Sequence, residues 1–325
     1  MELNHLPKHH SRCVALTGGS CREISEEEFL AGNGFDFAWL HLDGVELQRD
    51  HHKLSKQFHL CELTLEDALS EHSRSGLEQQ NGKIAFIAES VRLENDRAVY
   101  QNIAFFFDAK SLVTLSVKKS PLLHALQSDF LADPEDFGDH AGEIVASVVD
   151  GTLDGFFPVV DFYHDKIEAL EDSIFSGNLQ QSGKALEIKR ELLVLRKRIA
   201  PLRDNLNSIS RYAAPVVRPE DGPYFNDLYN HCLRLVENID LGRDILSTIM
   251  DVQLNLVNTR LNEIVRVLTV ISTLMMACSL IAGIYGMNFK HMPELDAIYG
   301  YPLALAGMVL VCVVILAVFR KKKWI

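Results

Sequence analysis

Two uncharged apolar runs close the chain, from Val267 to Ile284 and from Tyr301 to Phe319. Each has about the 20 residues that a helix needs to cross a bilayer core, so both are read as membrane spans. Loops held in the cytoplasm carry the Lys and Arg excess, and the flanks therefore set the orientation. Arg260 and Arg266 precede the first run, and Arg320, Lys321, Lys322 and Lys323 follow the second. The connection NFKHMPELDAIYG holds one Lys against Glu294 and Asp296, which puts it outside and both termini in the cytoplasm. The opening MELNHLPKHHSRC has no apolar h-region and no small-residue cleavage site. No secretory signal is expected, and the expected location is the plasma (inner) membrane.

The net charge of −12 argues against a nucleic-acid partner, which would call for a basic patch, and suits cations better. Six scattered cysteines without a CxxC pair point to a reduced compartment and no disulfide frame. No P-loop, nucleophile elbow, HExxH or Cys-rich metal motif is present, so neither an enzyme nor an organic cofactor is expected. His5, His9, His10, His51, His52 and His59 are read as solvated, and His231 as a helix-packing residue.

Before the spans the pattern changes once. FAWLHLDG, KIAFIAESVRL and NIAFFFDAKSLVTLSVKK read as strands, the last as two around Asp108 to Ser111. ISEEEFL and LTLEDALSEH read as helices, the second with Thr64 and Asp67 placed like a capping box. This is an α/β cytosolic domain over residues 1–140. A helical pair follows over 141–222, its first helix from Glu143 to Phe175 and its second from Ser182 to Tyr212. From Tyr224 to Ile284 there is no proline, so a long α-helical stalk of about 90 Å is expected. Its divisions are a stalk at 223–266, a first transmembrane helix at 267–287, an external loop at 288–300, a second transmembrane helix at 301–319 and a basic cytosolic tail at 320–325.

One side of that helix is hydrophilic. Glu237, Asp244, Asp251, Asn258 and Val265 recur every seven positions, with Thr248, Asn255 and Asn262 on the same side. Leu268, Ser272, Met276, Ser279 and Gly283 continue the row inside the span. Small-residue packing accounts for such a row; so does a water-filled axis. Two helices of about 10 Å diameter leave no hole between them, so an axis needs several copies of the chain. The second span would then face membrane lipid, and Asn288 would present a ring of amide oxygens to a hydrated cation.

Tyr285-Gly286-Met287-Asn288, then Met292-Pro293-Glu294-Leu295, Gly300-Tyr301-Pro302 and Lys322-Lys323-Trp324, together resemble the signature of the CorA magnesium transporters. The similarity extends down the stalk through NEIVRVLTVISTL and PYFNDLYNH to ELLVLRKRIAPLR. The resemblance implies a funnel-shaped homopentamer that takes up hydrated Mg²⁺. Gly286, Met287 and Asn288 match its selectivity filter. Ser279 falls where a pore threonine is usual, Met276, Leu268 and Val265 at a hydrophobic gate, and Asp251 at an acidic ring. Ser272, Asn262 and Asn258 complete the lining, and Glu294 and Asp296 would attract cations outside. The resemblance also makes Asp227 part of a regulatory Mg²⁺ site between subunits, with Glu94 or Asp96 as the partner acid, so that high internal Mg²⁺ closes the pore. Ala277-Cys278 stands where the family commonly has proline, and Asn230 where an acid is frequent. A zinc, Co²⁺ or Ni²⁺ transporter of the same superfamily is the alternative, and a membrane-anchored cytosolic sensor or enzyme ranks below it.

Overall fold

The apolar stretches of the N-terminal half form a single seven-stranded sheet in the computed structural model, which describes residues 10–60, 62–69, 76–80, 82–176, 181–212, 216–288, 292–293, 298–322 and 324. The strands are β1 (His10–Thr17), β2 (Ser20–Glu23), β3 (Phe37–Asp43), β4 (Glu78–Gln80), β5 (Lys83–Glu94), β6 (Arg97–Phe107) and β7 (Ser111–Ser116). Their order is β2-β1-β3-β7-β6-β5-β4. Only β3 and β7 pair in parallel; every other neighbour is antiparallel. β3 is buried at every position, as expected of a strand covered on both faces.

One face carries Ala38, Leu40, Leu42, Ala104, Phe106 and Leu115, packed beneath α1 (Glu26–Ala31), α2 (Leu47–Phe58) and α3 (Glu62–Leu69). The other carries Trp39, Phe86, Phe105 and Phe107. Over it lie α4 (Pro121–Ala132), α5 (Ala141–Asp154), α6 (Phe156–Phe175), α7 (Ser182–Tyr212) and the start of α8 (Gly222–Tyr285). Phe130 of α4 meets Trp39 at 6.2 Å between ring centroids, and Phe225 of α8 meets Phe107 at 6.5 Å. Each fully buried phenylalanine contributes on the order of 1.5–3 kcal/mol. Alternation along β6 thus feeds two separate layers.

Local signals explain the helix ends. Ser25 and Glu28 form a reciprocal capping box that starts α1. The expected box at Thr64 and Asp67 does not form, because α3 already begins at Glu62 and the buried Thr64 hydroxyl donates to Glu78 Oε2 at 2.8 Å. The helix expected from Glu143 to Phe175 is broken at Gly155. A Cβ there would stand 2.6 Å from the Val91 carbonyl oxygen, so the sheet approaches the backbone too closely for any side chain.

Two compact units are present, Met1–Ser247 and Thr248–Ile325. α8 supplies residues to both, and α9 (Gly300–Lys321) completes the second. In that second unit Cys278 of α8 and Cys312 of α9 meet with sulfurs 3.4 Å apart, and both are free thiols. α8 and α9 are the two helices long and apolar enough to cross a membrane among the described residues.

α7 is tied to the sheet by Arg198, which pairs with Glu89 of β5 and lies 4.0 Å over the Tyr100 ring of β6. Burial raises the Glu89 carboxyl above the ordinary range, and Arg198 opposes the rise by hydrogen bond and charge. Replacing Arg198 by Met leaves that burial unopposed. The folded variant then binds a proton at higher pH than the unfolded chain, whose glutamates titrate near pH 4.3, so its stability falls as pH rises. Arg198→Met should cost about 1–3 kcal/mol near pH 7, reduced by the partial exposure of Arg198, and much less near pH 4. Thermal unfolding of the full chain in detergent at the two pH values measures the difference.

Candidate cation path and its cytosolic carboxylates

α8 ends where the apolar run meets Gly286. The Gly286 N–H donates to the Ala282 carbonyl at 2.9 Å and the Met287 N–H to the Ile284 carbonyl at 3.3 Å, so the last turn closes at Tyr285 and Asn288 stands just beyond the helix. Gly286 is crowded from its own helix, since a Cβ would lie 3.2 Å from the Ala282 oxygen. Met287 and Asn288 are exposed. The final carbonyls of a helix lack amide partners and carry the negative end of its dipole, which favours a cation. The neutral Asn288 amide adds an acceptor without a charge.

Below this end, the row named from the sequence is open along its length. From Asp251 to Asn288 only Gln253 and Val270 are buried. Asp251, Asn258, Asn262, Val265, Leu268, Ser272, Met276 and Ser279 are all exposed in the single chain. Beside the row, Thr269 and Thr273 satisfy their hydroxyls on the Val265 and Thr269 carbonyls at 2.7 and 2.8 Å. Ser272 and Ser279 make no comparable bond among the described residues. Glu294 and Asp296 lie outside the described residues.

In the first unit Asp227 is exposed near the start of α8, 3.4 Å from Nε2 of His231 one turn later. Nδ1 of the same ring lies 2.8 Å from Asp150 of α5. His231 therefore does more than pack, since it bridges two carboxylates. Asp154, one turn beyond Asp150, has its carboxyl raised first by burial and then by the charge of Asp150, while His231 lowers it. This patch offers hard oxygen ligands, yet Asp150 and Asp227 address opposite ring nitrogens, so within one chain they do not converge on a point. Glu94 and Asp96 sit at the β5–β6 turn instead. Glu94 pairs with Arg92 at 2.6 Å, and Asp96, in a left-handed conformation, lines a cleft of about 720 Å³ with Lys166, Lys184 and Glu187. Neither touches Asp227 in the single chain.

Sequence comparison decides what this geometry belongs to. The model of the family described as CorA-like Mg²⁺ transporter protein matches residues 35–321. The chain belongs to the CorA family. It is 30% identical over 298 residues to the cobalt/magnesium transport protein CorA of Thermotoga maritima, spanning 88% of this chain and 83% of that relative. It is 29% identical over 293 residues to the putative metal ion transporter YfjQ of Bacillus subtilis, spanning 89% and 91%. The fold matches the complete structure of the CorA magnesium transporter from Methanocaldococcus jannaschii with a TM-score of 0.83 at 22% identity, over 98% of this chain and 100% of the other. The full-length CmaX protein matches with a TM-score of 0.74 at 21% identity, over 98% and 100%. The CorA-type architecture, an α/β domain, a long helix and two C-terminal apolar helices, accordingly accounts for the whole chain, which is a membrane transporter of divalent cations and not an enzyme.

Asp150 and Asp154 escaped the sequence reading. Asp150 stands 81 positions from His231, and only the packing of α5 on α8 joins them; the one linear hint was their four-residue spacing on a helix.

Proposed function

We propose that this chain assembles as a homopentamer whose α8 helices surround an aqueous path for hydrated Mg²⁺, with Gly286, Met287 and Asn288 as the filter. The observation that carries the reading is the exposure of α8 from Asp251 to Asn288 in the isolated chain. Within the span, lipid alone gives the Ser272 and Ser279 hydroxyls no partner, whereas neighbouring copies and water do, and the same row continues through Asn262 and Asn258 below it. Mg²⁺ dehydrates reluctantly and prefers oxygen. A collar of amide and carbonyl oxygens at the negative helix end can hold the ion with its water shell, avoiding most of the dehydration cost. Val265, Leu268 and Met276 form the apolar constriction below, and Asp251 gathers cations at its cytosolic side.

Both termini lie in the cytoplasm in this reading, because Arg260, Arg266 and Arg320 to Lys323 flank the spans. The divisions at 140, 222 and 266 mark the α/β domain, the helical pair and the stalk. Glu294 and Asp296 face the outside and raise the local cation concentration.

Regulation rests on Asp227. Its side chain is 69% exposed and lies 3.4 Å from His231 Nε2, so most of its carboxylate is open to ligands from elsewhere. An acid of the adjacent subunit, Glu94 or Asp96, supplies one. Bound Mg²⁺ bridges the two carboxylates and holds the ring closed; without the ion they repel.

A specific observation favours a wider ion range. The Thermotoga relative is named for cobalt as well as magnesium, and Co²⁺ and Ni²⁺ resemble Mg²⁺ in size and hydration. Zn²⁺ remains the competing cargo.

In liposomes loaded with an ion-sensitive dye, the wild type should pass Mg²⁺, and Asn288→Ala should reduce flux at least tenfold; undiminished flux removes the filter assignment. Running Zn²⁺, Co²⁺ and Ni²⁺ in parallel ranks the cargoes. Asp227→Asn should keep uptake while shifting inhibition by internal Mg²⁺ to higher concentration, and an unchanged dose response takes Asp227 out of the regulatory role.

A further inference from the structure

Far from the cation path in sequence, the carboxyl ends of the parallel strands β3 and β7 interrupt an apolar sheet face with a polar cluster. His41 and Asp43 are two apart on β3 and so project to the same side, opposite Thr114 and Ser116 of β7 in register. The first turns of α4 bring Ser120 and His124 onto them. His41 is fully buried and Asp43 nearly so, while His124 keeps an edge at the surface. Asp43 Oδ1 accepts from the Ser116 hydroxyl at 2.8 Å and the Ser120 N–H at 2.9 Å, and lies 2.8 Å from His41 Nε2. Asp43 Oδ2 lies 2.5 Å from His124 Nε2.

Two imidazole nitrogens and one carboxylate oxygen lie here within 4.8 Å of one another. Three features fit an ion between them. The His41 and His124 ring centroids are 5.3 Å apart at 79°; two imidazoles bound tetrahedrally at about 2.0–2.1 Å through Nε2 have centroids roughly 5 Å apart. The outer shell is already built. His41 Nδ1 lies 2.9 Å from the Thr114 hydroxyl and 3.2 Å from the Thr114 carbonyl, and the hydroxyl in turn accepts from Trp39 Nε1 at 3.0 Å. A ligating histidine almost always donates its other ring N–H to such an oxygen. Lastly, ligands of α/β sheets gather at the carboxyl ends of parallel strands, and β3 and β7 are the parallel pair.

We propose that His41, Asp43 and His124 form a site for a divalent transition cation of the Zn²⁺ or Co²⁺ class, separate from the path through α8. Ligating through Nε2, each imidazole carries its N–H on Nδ1, where that of His41 is received by Thr114, and the carboxylate keeps Ser116 and Ser120 on its second oxygen. Water completes four coordination on the side of the exposed His124 edge. The nitrogen ligands select against Mg²⁺, which demands an oxygen octahedron. The ion ties β3 to α4 and so stabilises the α/β domain.

The test uses full-length protein in detergent, stripped with a chelator and titrated with Co²⁺ alone under a large excess of Mg²⁺. The expected result is the intense visible absorption of four-coordinate Co²⁺, rising to one ion per chain and bleached by Zn²⁺, with a higher unfolding temperature when Zn²⁺ is present. His124→Gln, at a partly exposed position, should lose that one equivalent or bind it at least tenfold more weakly. Asn288→Ala should retain it. A wild type showing only the weak absorption of six-coordinate Co²⁺ overturns the proposal without recourse to any variant. So does a His124→Gln protein whose absorption and Zn²⁺-induced stabilisation match the wild type.

Discussion

A polar group in lipid must find a partner, and this requirement shapes the apolar end of α8. The helix meets the backbone part of it alone, through its own ladder, and Thr269 and Thr273 borrow carbonyls from that ladder. Ser272 and Ser279 make no such bond among the described residues. In the proposed assembly, this row and the closing Gly-Met-Asn are the half of an interaction that other copies and water complete. α9, apolar throughout its span, asks for nothing but lipid and packing.

The soluble part solves a different problem. Its central strands are covered on both faces, so their buried positions are mostly apolar, and charge is admitted among them at few places. Arg198 with Glu89 is one, where a cation stacked on Tyr100 offsets the burial of an acid. Outside the strands, His231 is shared between Asp150 and Asp227. The two differ in an instructive way. Glu89 has its countercharge in hand, whereas Asp227 is exposed and its contact with His231 is longer, at 3.4 Å.

Much of this architecture could be read from the residues alone, for definite reasons. α7 and the long α8 were legible because their apolar periodicity runs unbroken between strong boundaries, and the charge-free runs admit no reading but membrane spans. β1 and α2 were not, because HSRCVALT follows a histidine-rich opening and LQRDHHKLSKQF is dominated by polar residues around its buried Leu54 and Phe58. The capping box was sought at Thr64, whose hydroxyl proved to serve a strand, when Ser25 and Glu28 had the better chemistry. The break at Gly155 follows from the approach of the Val91 carbonyl, a contact between distant residues that no local pattern encodes. The proposed filter and row rest on the order of residues along α8 and just past its end. The surroundings of Asp227 and the pairing of His41 with His124 depend on tertiary contacts across 81 positions or more and leave no linear trace.

The stacking of Phe225 on Phe107 bears on the order of events at the ribosome. Domains fold as units while the nascent chain is still growing. Because the ring that seals the sheet belongs to the same helix that later carries the first apolar run, the α/β body cannot be finished until synthesis has entered α8. Completion of that body and emergence of the first hydrophobic segment are thereby made consecutive steps in the making of one helix.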